Sequence, residues 1–458
     1  TNGSAPGVAE GTATSTNGSA PGVAEGTATS ANQGPATGVA AMVESLSRAL
    51  FGPLLVRAEF WDGSVLGPEN SPGTLYVRSP DALRRILWAP GELGLSRAFV
   101  AGDLDFDGDL FEMIQALRPH GSTLRTQLPA VPFALPAAVR SARRMGLLTR
   151  PPAPPPEEAR PHGRRHSKGR DASSVGHHYD VGNDFYRLLL GETMTYSCAR
   201  FVNPTDSLDT AQEAKHELVC RKLGLHERPG QRLLDVGCGW GSMAIHAARH
   251  HGARAVGITI SRPQAELART RVRDAGLEQQ VEIRIQDYRD LGQERFDVIS
   301  SVGMFEHVGK ERMAEYFATM RRHLLPEGRL LNHAVSSIGG SKPGRRSFTH
   351  RYMFPDGELI DVGEVAVAME AAGFEVRDVE SLREHYGQTV CRWLENIHNH
   401  WDEMVAIVGE GRARVWLLYL TAARVGFQDG GMAIHQVLGV SPGPDGASGM
   451  PSTRRTWN

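Results

Sequence analysis

A glycine-rich loop, Asp-Val-Gly-Cys-Gly-Trp-Gly at 235–241, is the feature that most limits how this 458-residue chain can fold. It follows the short apolar stretch 232–234 and precedes a helix-like stretch at 242–250. Strand-like and helix-like segments then alternate as far as residue 335. This alternation predicts an α/β fold with a doubly wound, mostly parallel sheet.

Ligands of such a sheet bind beyond the carboxyl ends of its strands. The glycine loop is one such end, because it allows backbone N–H groups to approach a ligand closely. Functional segments are therefore predicted at the strand ends, namely 237–241, 259–264, 287–288, 303–307 and His333.

The composition excludes several classes of protein. Lys and Arg number 50 and Asp and Glu number 52, so net charge gives no support for nucleic-acid binding. Four scattered cysteines without a CxxC pair argue against a disulfide framework or a metal cluster and fit a reducing cytoplasm. No apolar run reaches the roughly 18–20 residues of a membrane span, and no signal peptide is visible.

The regions that flank the α/β core differ from it in composition. Residues 1–15 recur unchanged as 16–30, and this Gly-, Ala-, Ser- and Thr-rich duplication predicts a disordered tail over 1–41. A small N-terminal α+β domain is predicted over 42–118, and a second disordered tail over 441–458. The catalytic domain is predicted over 173–440.

Two segments of the N-terminal half carry alternative interpretations. Residues 103–109, DLDFDGD, begin like a calcium loop, but the twelfth position is Ile114 instead of a bidentate Glu, which favours an acidic turn. Residues 119–172 form a proline-rich, basic linker. This segment is interpreted either as a semi-rigid solvated connection or as a patch that meets anionic lipid headgroups.

The sequence around the loop argues against a nicotinamide enzyme. Such enzymes usually show G-x-G-x-x-G and an acid about 20 residues later, whereas here the next strand ends Gly-Ile-Thr-Ile-Ser at 257–261. The order D-x-G-x-G-x-G instead resembles that of the Rossmann-like class I S-adenosylmethionine methyltransferases. Cys238 and Trp240 within the loop are interpreted as packing residues.

The neighbouring motifs resemble a more specific family, the cyclopropane-fatty-acyl-phospholipid synthases, to which mycolic acid cyclopropane synthases belong. The resemblance covers about 174–440 and is carried by seven motifs in compatible order. These are HYDVGNDFY at 178–186, MTYSCA at 194–199, LDVGCGWG at 234–241, VGITIS at 256–261, QDYRD at 286–290, SVGMFEHVG at 301–309 and HY at 385–386.

The resemblance implies transfer of a methyl group from S-adenosylmethionine to a cis double bond of a phospholipid acyl chain, followed by closure of a cyclopropane ring. It also implies a bound bicarbonate as the base, held by residues that match Cys198, Glu306, His333 and Tyr386, with backbone near Val335. Asn332 and Ala334 depart from the family pattern beside His333.

The cofactor residues implied by the resemblance fall into three groups. Asp235, Gly237, Gly239 and Gly241 belong to the glycine loop, and Tyr196 and Ser197 to a loop that closes over the amino-acid end. Contacts to ribose and adenine are implied for Thr259, Ile260, Gln264 and Tyr288. Asp287 is interpreted either as an adenine contact or as a strand-end turn. No metal ligand is predicted.

Several functional questions stay open at this stage. The C-terminal stretches 390–408 and 413–426 predict two amphipathic helices, which belong to the core, form walls of an acyl tunnel, or do both. Phe348, Tyr352 and Phe354 are further candidates for lining that tunnel. The same cation could end as a methyl- or methylene-branched chain, and a lipid-binding scaffold with an inactive methyltransferase fold is a rival. Peripheral contact with the inner face of the membrane and a homodimer are expected from the resemblance.

Overall fold

The computed structural model describes residues 37–50, 54–117, 139–140, 142–143, 145–159, 169–170, 181–339, 344 and 347–457. All of these belong to the compact unit Ala36–Asn458. The duplicated sequence, and most of the basic residues of the 119–172 segment, lie outside the described residues. No described helix combines the length and the apolar character needed to cross a membrane.

The N-terminal region forms a small mixed sheet with helices. Its strands are β1 (Arg57–Phe60), β2 (Val65–Leu66), β3 (Gly73–Val77) and β4 (Leu104–Gly108), in the order β2-β1-β3-β4. β1 and β3 are parallel and the other two pairings are antiparallel. The helices are α1 (Gly38–Leu50), α2 (Pro80–Trp88), α3 (Glu92–Val100) and α4 (Leu110–Leu117).

The acidic stretch 103–109 is not the turn that its sequence predicted, because most of it is strand β4. Two of its four carboxylates are bound by basic or hydroxyl groups. Asp103 accepts hydrogen bonds from Ser79 Oγ at 2.7 Å and from Arg85 Nε at 2.8 Å, and Asp105 lies 3.4 Å from Arg414 Nη2. Two of the four carboxylates on which the calcium-loop alternative depends are therefore already bound within the protein.

The larger sheet confirms the predicted α/β class. Within the described residues it has seven strands in the order β10-β11-β9-β8-β5-β6-β7. The strands are β5 (Arg232–Val236), β6 (Arg254–Thr259), β7 (Val281–Ile285), β8 (Phe296–Val302), β9 (Leu324–Ser337), β10 (Glu375–Ser381) and β11 (Met432–Val440). The pairs from β9 to β7 are parallel, and β11 is antiparallel to both of its neighbours.

Helices alternate with these strands as the hydrophobic pattern predicted. The first six after the N-terminal region are α5 (Asn183–Leu190), α6 (Leu208–Leu223), α7 (Ser242–His251), α8 (Arg262–Asp274), α9 (Met313–His323) and α10 (Phe348–Tyr352). The last four are α11 (Val362–Ala371), α12 (Arg383–Asn399), α13 (Trp401–Val408) and α14 (Glu410–Gln428). The sequence predicted two helices near the C-terminus, whereas the structure has three in this region, because α12 and α13 are separated at His400.

An aromatic core joins α5, α12 and α14 beside the sheet. Trp393 and Trp416 are among its fully buried side chains, together with Phe185 and Tyr186. The N-terminal region packs onto the same core through Leu93, Phe99 and Val100. Arg414 Nη1 of α14 donates to the backbone carbonyls of Phe99 and Leu104, both at 3.2 Å, which fixes α14 to the small sheet.

Two segments predicted to be solvated pack against the fold. In the proline-rich segment, Glu158 is buried and forms a two-pronged ion pair with Arg97, with both distances 2.8 Å. After Val440, Trp457 packs among buried residues of α6 and α7, and Arg454 lies 2.8 Å from Asp378. The prediction of a disordered tail over 441–458 is therefore wrong, whereas the predicted domain boundaries stay predictions.

Candidate functional site

A large cavity opens at the carboxyl ends of β5, β6, β7 and β8, where the doubly wound topology predicted a ligand site. Ten of the predicted cofactor residues line it, namely Tyr196, Ser197, Asp235, Gly237, Gly239, Thr259, Ile260, Gln264, Asp287 and Tyr288. Gly241 is not among the lining residues. A Cβ at Gly241 would lie 3.3 Å from the Cβ of Ala268, so this glycine allows close packing of α7 against α8.

The glycine loop is held to the neighbouring strand by its own backbone. The N–H groups of Gly237 and Cys238 both donate to the carbonyl of Ile258 at 3.0 Å. Gly237 has a φ of 78°, and a Cβ there would lie 2.8 Å from the Cβ of Met304. A side chain at this position would therefore be strained and would displace the residue that forms the opposite wall.

Asp235 and Lys215 are two buried ionisable groups on the cavity wall that interact electrostatically. Asp235 Oδ1 accepts a hydrogen bond from Ser300 Oγ at 2.7 Å, and burial raises the pKa of this carboxyl to about 6. Lys215 Nζ donates to Ser197 Oγ at 3.1 Å, and burial lowers its pKa to about 8 against the opposing effects of Cys198 and Asp235.

Lys215 lines the cavity, but the sequence argument did not identify it. Its signal is present in α6, where Ala211, Lys215, Leu218 and Lys222 fall on one face and all four are buried. A lysine at a core position of an amphipathic helix needs a partner or a function, because burial of an ammonium group is costly.

The loop before α6 is tied down from two directions. Gln212 Nε2 donates to the carbonyls of Thr195 at 3.2 Å and Ser197 at 2.7 Å. Arg271 donates to the carbonyls of Thr193 at 3.0 Å and Trp240 at 2.8 Å, so one guanidinium group joins this loop to the glycine loop. Both walls of the cavity are thereby fixed before any ligand binds.

On the other side of the cavity, Thr259 Oγ1 donates to Gln264 Oε1 at 3.0 Å, which orients the amide of Gln264. Asp287 caps the turn after β7 and its carboxylate binds the guanidinium group of Arg289, at 2.8 and 2.6 Å. The strand-end turn is therefore present, and an adenine contact by Asp287 stays a prediction. Tyr288 lies edge-on against Tyr316, with ring centroids 5.2 Å apart.

Glu306 lies in a short turn after β8, and His333 lies within β9, where it pairs with Val302, the last residue of β8, and not at a strand end as predicted. Glu306 Oε1 accepts the N–H of Val335 at 2.7 Å, so this N–H, expected to face an anion, is used within the protein. Among the described residues, Glu306 Oε2 and His333 Nε2 are buried without a hydrogen-bond partner. Burial raises the pKa of Glu306 to about 7 and places that of His333 well below its usual value.

Gln436, another residue that the sequence argument missed, fixes the state of His333. Its Nε2 lies 3.1 Å from His333 Nδ1 across the β9–β11 pair. A donated hydrogen bond to Nδ1 leaves the proton of the neutral imidazole on Nε2. His333 Nε2 is then a hydrogen-bond donor without an acceptor in the described structure.

Cys198 and Tyr386 both contact the backbone carbonyl of Leu382. Tyr386 N donates to the Leu382 carbonyl at 3.0 Å, and Cys198 Sγ lies 3.7 Å from the same oxygen and 3.1 Å from the carbonyl of Ala199. Burial raises the pKa of the Cys198 thiol, which is therefore neutral. The Tyr386 ring packs on Phe427 with centroids 4.5 Å apart.

None of the four predicted catalytic residues is among the residues that line the cavity, although its walls include Ser197 and His307, the chain neighbours of Cys198 and Glu306. The two pairs are joined by backbone. Leu382 N donates to the Ile434 carbonyl at 3.0 Å, and Ile434 is paired with Val335 in the sheet. Aromatic rings lie between this region and the C-terminal helices, with Tyr196 5.2 Å from Trp393 and 5.8 Å from Trp416.

Of the predicted lining residues, Phe354 lies on the cavity, whereas Phe348 and Tyr352 are buried in the aromatic core. Trp240 and Cys238 are both buried, and both also line the cavity. Trp240 Nε1 donates to Asn183 Oδ1 at 2.8 Å, which ties the loop to the start of α5. The packing interpretation of Trp240 and Cys238 is therefore incomplete. Asn332 is buried, and its Oδ1 has no partner in the described structure.

The raised pKa of Glu306 predicts a pH-dependent stability. A carboxyl group that titrates near 7 when folded and near 4.5 when unfolded contributes stability that is complete below about pH 4.5 and is lost as the pH rises through about 7. Urea unfolding at about pH 5 and about pH 8 is expected to show a loss on the order of 2 kcal/mol that Glu306→Gln removes. The exposed control Glu311→Gln is expected to keep the parent's slope, and an equal slope in Glu306→Gln would refute the assignment.

Comparisons with known proteins agree with this arrangement. Residues 166–437 match the family model described as mycolic acid cyclopropane synthetase. A probable fatty acid methyltransferase of Mycobacterium tuberculosis is 41% identical over 414 residues, covering 87% of this chain and 93% of that protein. The cyclopropane-fatty-acyl-phospholipid synthase of Escherichia coli K12 is 34% identical over 373 residues, covering 81% of this chain and 88% of that protein.

A solved structure supports the same relationship. The crystal structure of mycolic acid cyclopropane synthase CmaA1 with SAH and CTAB is 31% identical, has a TM-score of 0.55 and covers 59% of this chain and 98% of that chain. The family match, the extent of the identity and the shared fold agree with one another. The chain belongs to the mycolic acid cyclopropane synthetase family and is an S-adenosylmethionine-dependent methyltransferase.

Proposed function

We propose that the protein transfers the methyl group of S-adenosylmethionine to a cis double bond of an unsaturated phospholipid acyl chain and closes a cyclopropane ring. The observation that carries this proposal is that Glu306 Oε2 and His333 Nε2, near the end of β8, are buried without a hydrogen-bond partner in the described structure. Buried polar atoms without partners are rare in folded proteins and indicate a ligand or a catalytic role.

The methyl donor is proposed to lie in the cavity at the carboxyl ends of β5 to β8. Backbone groups of Gly237 and Gly239 would contact its methionine and ribose parts, and Thr259, Ile260 and Gln264 would contact ribose and adenine. Ser197 and Lys215 add a hydroxyl and an ammonium group at the wall formed by the 193–198 loop. The fixed loops would hold the sulfonium methyl group at attack distance, which a weakly nucleophilic alkene requires.

The reaction makes and breaks bonds in two stages. The alkene attacks the methyl carbon, a carbon–carbon bond forms, and the carbon–sulfur bond breaks to leave S-adenosylhomocysteine and a carbocation on the acyl chain. Loss of a proton from the new methyl group then closes the three-membered ring. Tyr196, Trp393 and Trp416 offer aromatic faces that stabilise positive charge and exclude water.

The residues around Glu306 fit a small protonated oxyanion such as bicarbonate. When bound, that ion would supply the base that accepts the methyl proton. His333 Nε2 would donate a hydrogen bond to one of its oxygens. Glu306 Oε2 would either accept a hydrogen bond from its hydroxyl group or, when protonated, donate one, since the Glu306 pKa near 7 allows both states. The neutral Cys198 thiol and the Tyr386 hydroxyl are the further polar groups proposed for this site.

An alternative product is a methyl- or methylene-branched fatty acid from the same cation. The similarity to a probable fatty acid methyltransferase gives this alternative its support, because that name specifies methylation of a fatty acid and does not mention a cyclopropane. An inactive lipid-binding scaffold is the least supported alternative, since Cys198, Glu306, His333 and Tyr386 are all present and are buried or partly buried.

Mass spectrometry of the product tests the reaction. The full chain is incubated with S-adenosylmethionine and phospholipids that carry one cis double bond. The expected product is one CH₂ unit heavier and resists double-bond-specific derivatisation. Glu306→Gln is expected to lower turnover by at least about 100-fold, because acid–base groups contribute that much, whereas Glu311→Gln is not. A heavier product that retains an alkene would refute ring closure in favour of the methylene-branched acid.

A pair of glycine variants tests the cofactor site by S-adenosylhomocysteine binding. Gly237→Ala is expected to raise the Kd at least about tenfold, because the new Cβ would meet Met304 and tilt the backbone N–H groups. Gly230→Ala is the matched control, since its φ of 81° is equally unfavourable but nothing lies within 4 Å of the new Cβ. Equal effects of the two substitutions on the Kd would place the cofactor elsewhere.

We further propose that the basic 119–172 segment contacts anionic lipid and that the protein is a homodimer. Six basic residues of that segment are suited to the test, Arg140, Arg143, Arg144, Arg164, Arg165 and Lys168. Arg170 is kept, because it pairs with Asp356 on the cavity wall at 2.6 Å.

Changing all six to Gln is expected to weaken sedimentation with phosphatidylglycerol vesicles, most strongly at low salt, since each basic residue near such a surface adds about 1 kcal/mol. Phosphatidylcholine vesicles are the control. Unchanged sedimentation with the anionic vesicles would contradict lipid contact and support the alternative of a solvated linker. Sedimentation velocity of the same preparations reports whether the mass is that of two chains.

A further inference from the structure

A second cluster of ligating side chains lies on the outer side of α6 and α7, apart from the groups assigned to methyl transfer. It consists of Glu217 and Cys220 on α6 and His246 and His251 on α7. Cys220 Sγ and one ring nitrogen from each histidine all lie within 4.8 Å of one another. The same two histidines both face one carboxylate oxygen, with Glu217 Oε2 2.9 Å from His251 Nε2 and 3.4 Å from His246 Nε2.

We propose that Glu217, Cys220, His246 and His251 bind a divalent transition metal of the zinc type and thereby join α6 to α7. Thiolate, imidazole and carboxylate are the ligands that zinc takes in proteins, and four of them complete a tetrahedral site. A mixed sulfur and nitrogen set also disfavours magnesium and calcium, which take oxygen ligands.

The protonation states of the cluster suit this role. Burial places His246 in its neutral form, with a pKa lowered to about 4, so that its ring is a ligand at neutral pH. Burial would raise the pKa of Glu217, but hydrogen bonds from Arg221, His251 and His246 outweigh it and lower the value to about 2. Cys220 is fully buried, burial raises the pKa of its thiol, and its Sγ makes no hydrogen bond within the described structure. Its proton would be displaced by the metal.

Glu217 is also oriented from its other side. Arg221 Nε donates to Glu217 Oε1 at 2.6 Å, which leaves Oε2 directed at the two histidines. An outer group that fixes a ligating carboxylate in this way is a regular feature of metal sites. A buried cysteine alone is usually a small apolar residue, and the inference rests on the two imidazole nitrogens that lie beside the sulfur and on the Glu217 carboxylate that faces the same histidines.

The cluster adjoins the cofactor cavity through α6 and α7. His216, which lines the cavity, has its ring centroid 5.5 Å from that of His246. Lys215 on α6 and Ser242 and Met243 on α7 also line the cavity. A metal bound at the cluster would therefore hold together the two helices that carry this wall. The widely spaced cysteines did not predict this site, because its ligands converge only after α6 and α7 pack.

Metal binding is measured on the full chain without a polyhistidine tag, after treatment with a chelator and dialysis. Equilibrium dialysis against zinc chloride is expected to show one saturable zinc per chain and a higher Tm for the loaded protein. Cys220→Ser and His251→Gln are each expected to raise the Kd for zinc at least about tenfold. The matched controls Cys391→Ser and His398→Gln, on α12, are expected to leave it unchanged.

X-ray absorption at the zinc edge of the parent protein gives a readout that does not depend on the variants folding. The expected ligand set contains one sulfur together with imidazole nitrogens. Absence of saturable zinc binding, a ligand set without sulfur, or full binding by folded Cys220→Ser would each overturn the proposal. Loss of methyl transfer with zinc binding intact would refute the proposed function and leave the metal site standing.

Discussion

The parallel pairing of β5 with both β6 and β8 is the constraint on which the rest of the structure depends. At this point the order of the strands reverses, so the connections that follow β5 and β8 diverge and leave a crevice at the sheet edge. The N–H groups of Gly237 and Cys238 donate to Ile258, which keeps the loop against β6 and leaves the crevice open. The predicted cofactor residues gather there for this reason.

Burial of ionisable groups around that crevice gives the site its chemical character. Asp235, Glu306 and Lys215 are carboxyl and amino groups whose ordinary pKa values lie far apart, yet burial brings them to about 6, about 7 and about 8. Each group can therefore exchange its charge state near neutral pH at modest cost. The unpaired atoms of Glu306 and His333 show that this region has polar capacity that the protein itself does not use.

Much of the fold and part of the site followed from local pattern. Periodicity predicts strands at 254–260, 281–285 and 296–302 and a helix at 263–275, within a residue of β6, β7, β8 and α8, because alternating and helical burial repeat over short windows. The same reasoning failed for β4 and for the segment after Val440. The acidic residues of β4 are neutralised by Arg85 and Arg414 from other elements, and Trp457 is buried by α6 and α7.

The sequence by itself determined the alternating α/β architecture, the glycine loop and the family, because these depend on residues that are close together in the chain. Only the tertiary structure decided the roles of Lys215, Gln436 and the Glu217–Cys220–His246–His251 cluster. The state of His333 depends on Gln436, 103 residues away, and the pKa of Lys215 on the groups that bury it. Desolvation and contact between distant segments are properties of packing, and sequence spacing does not encode them directly.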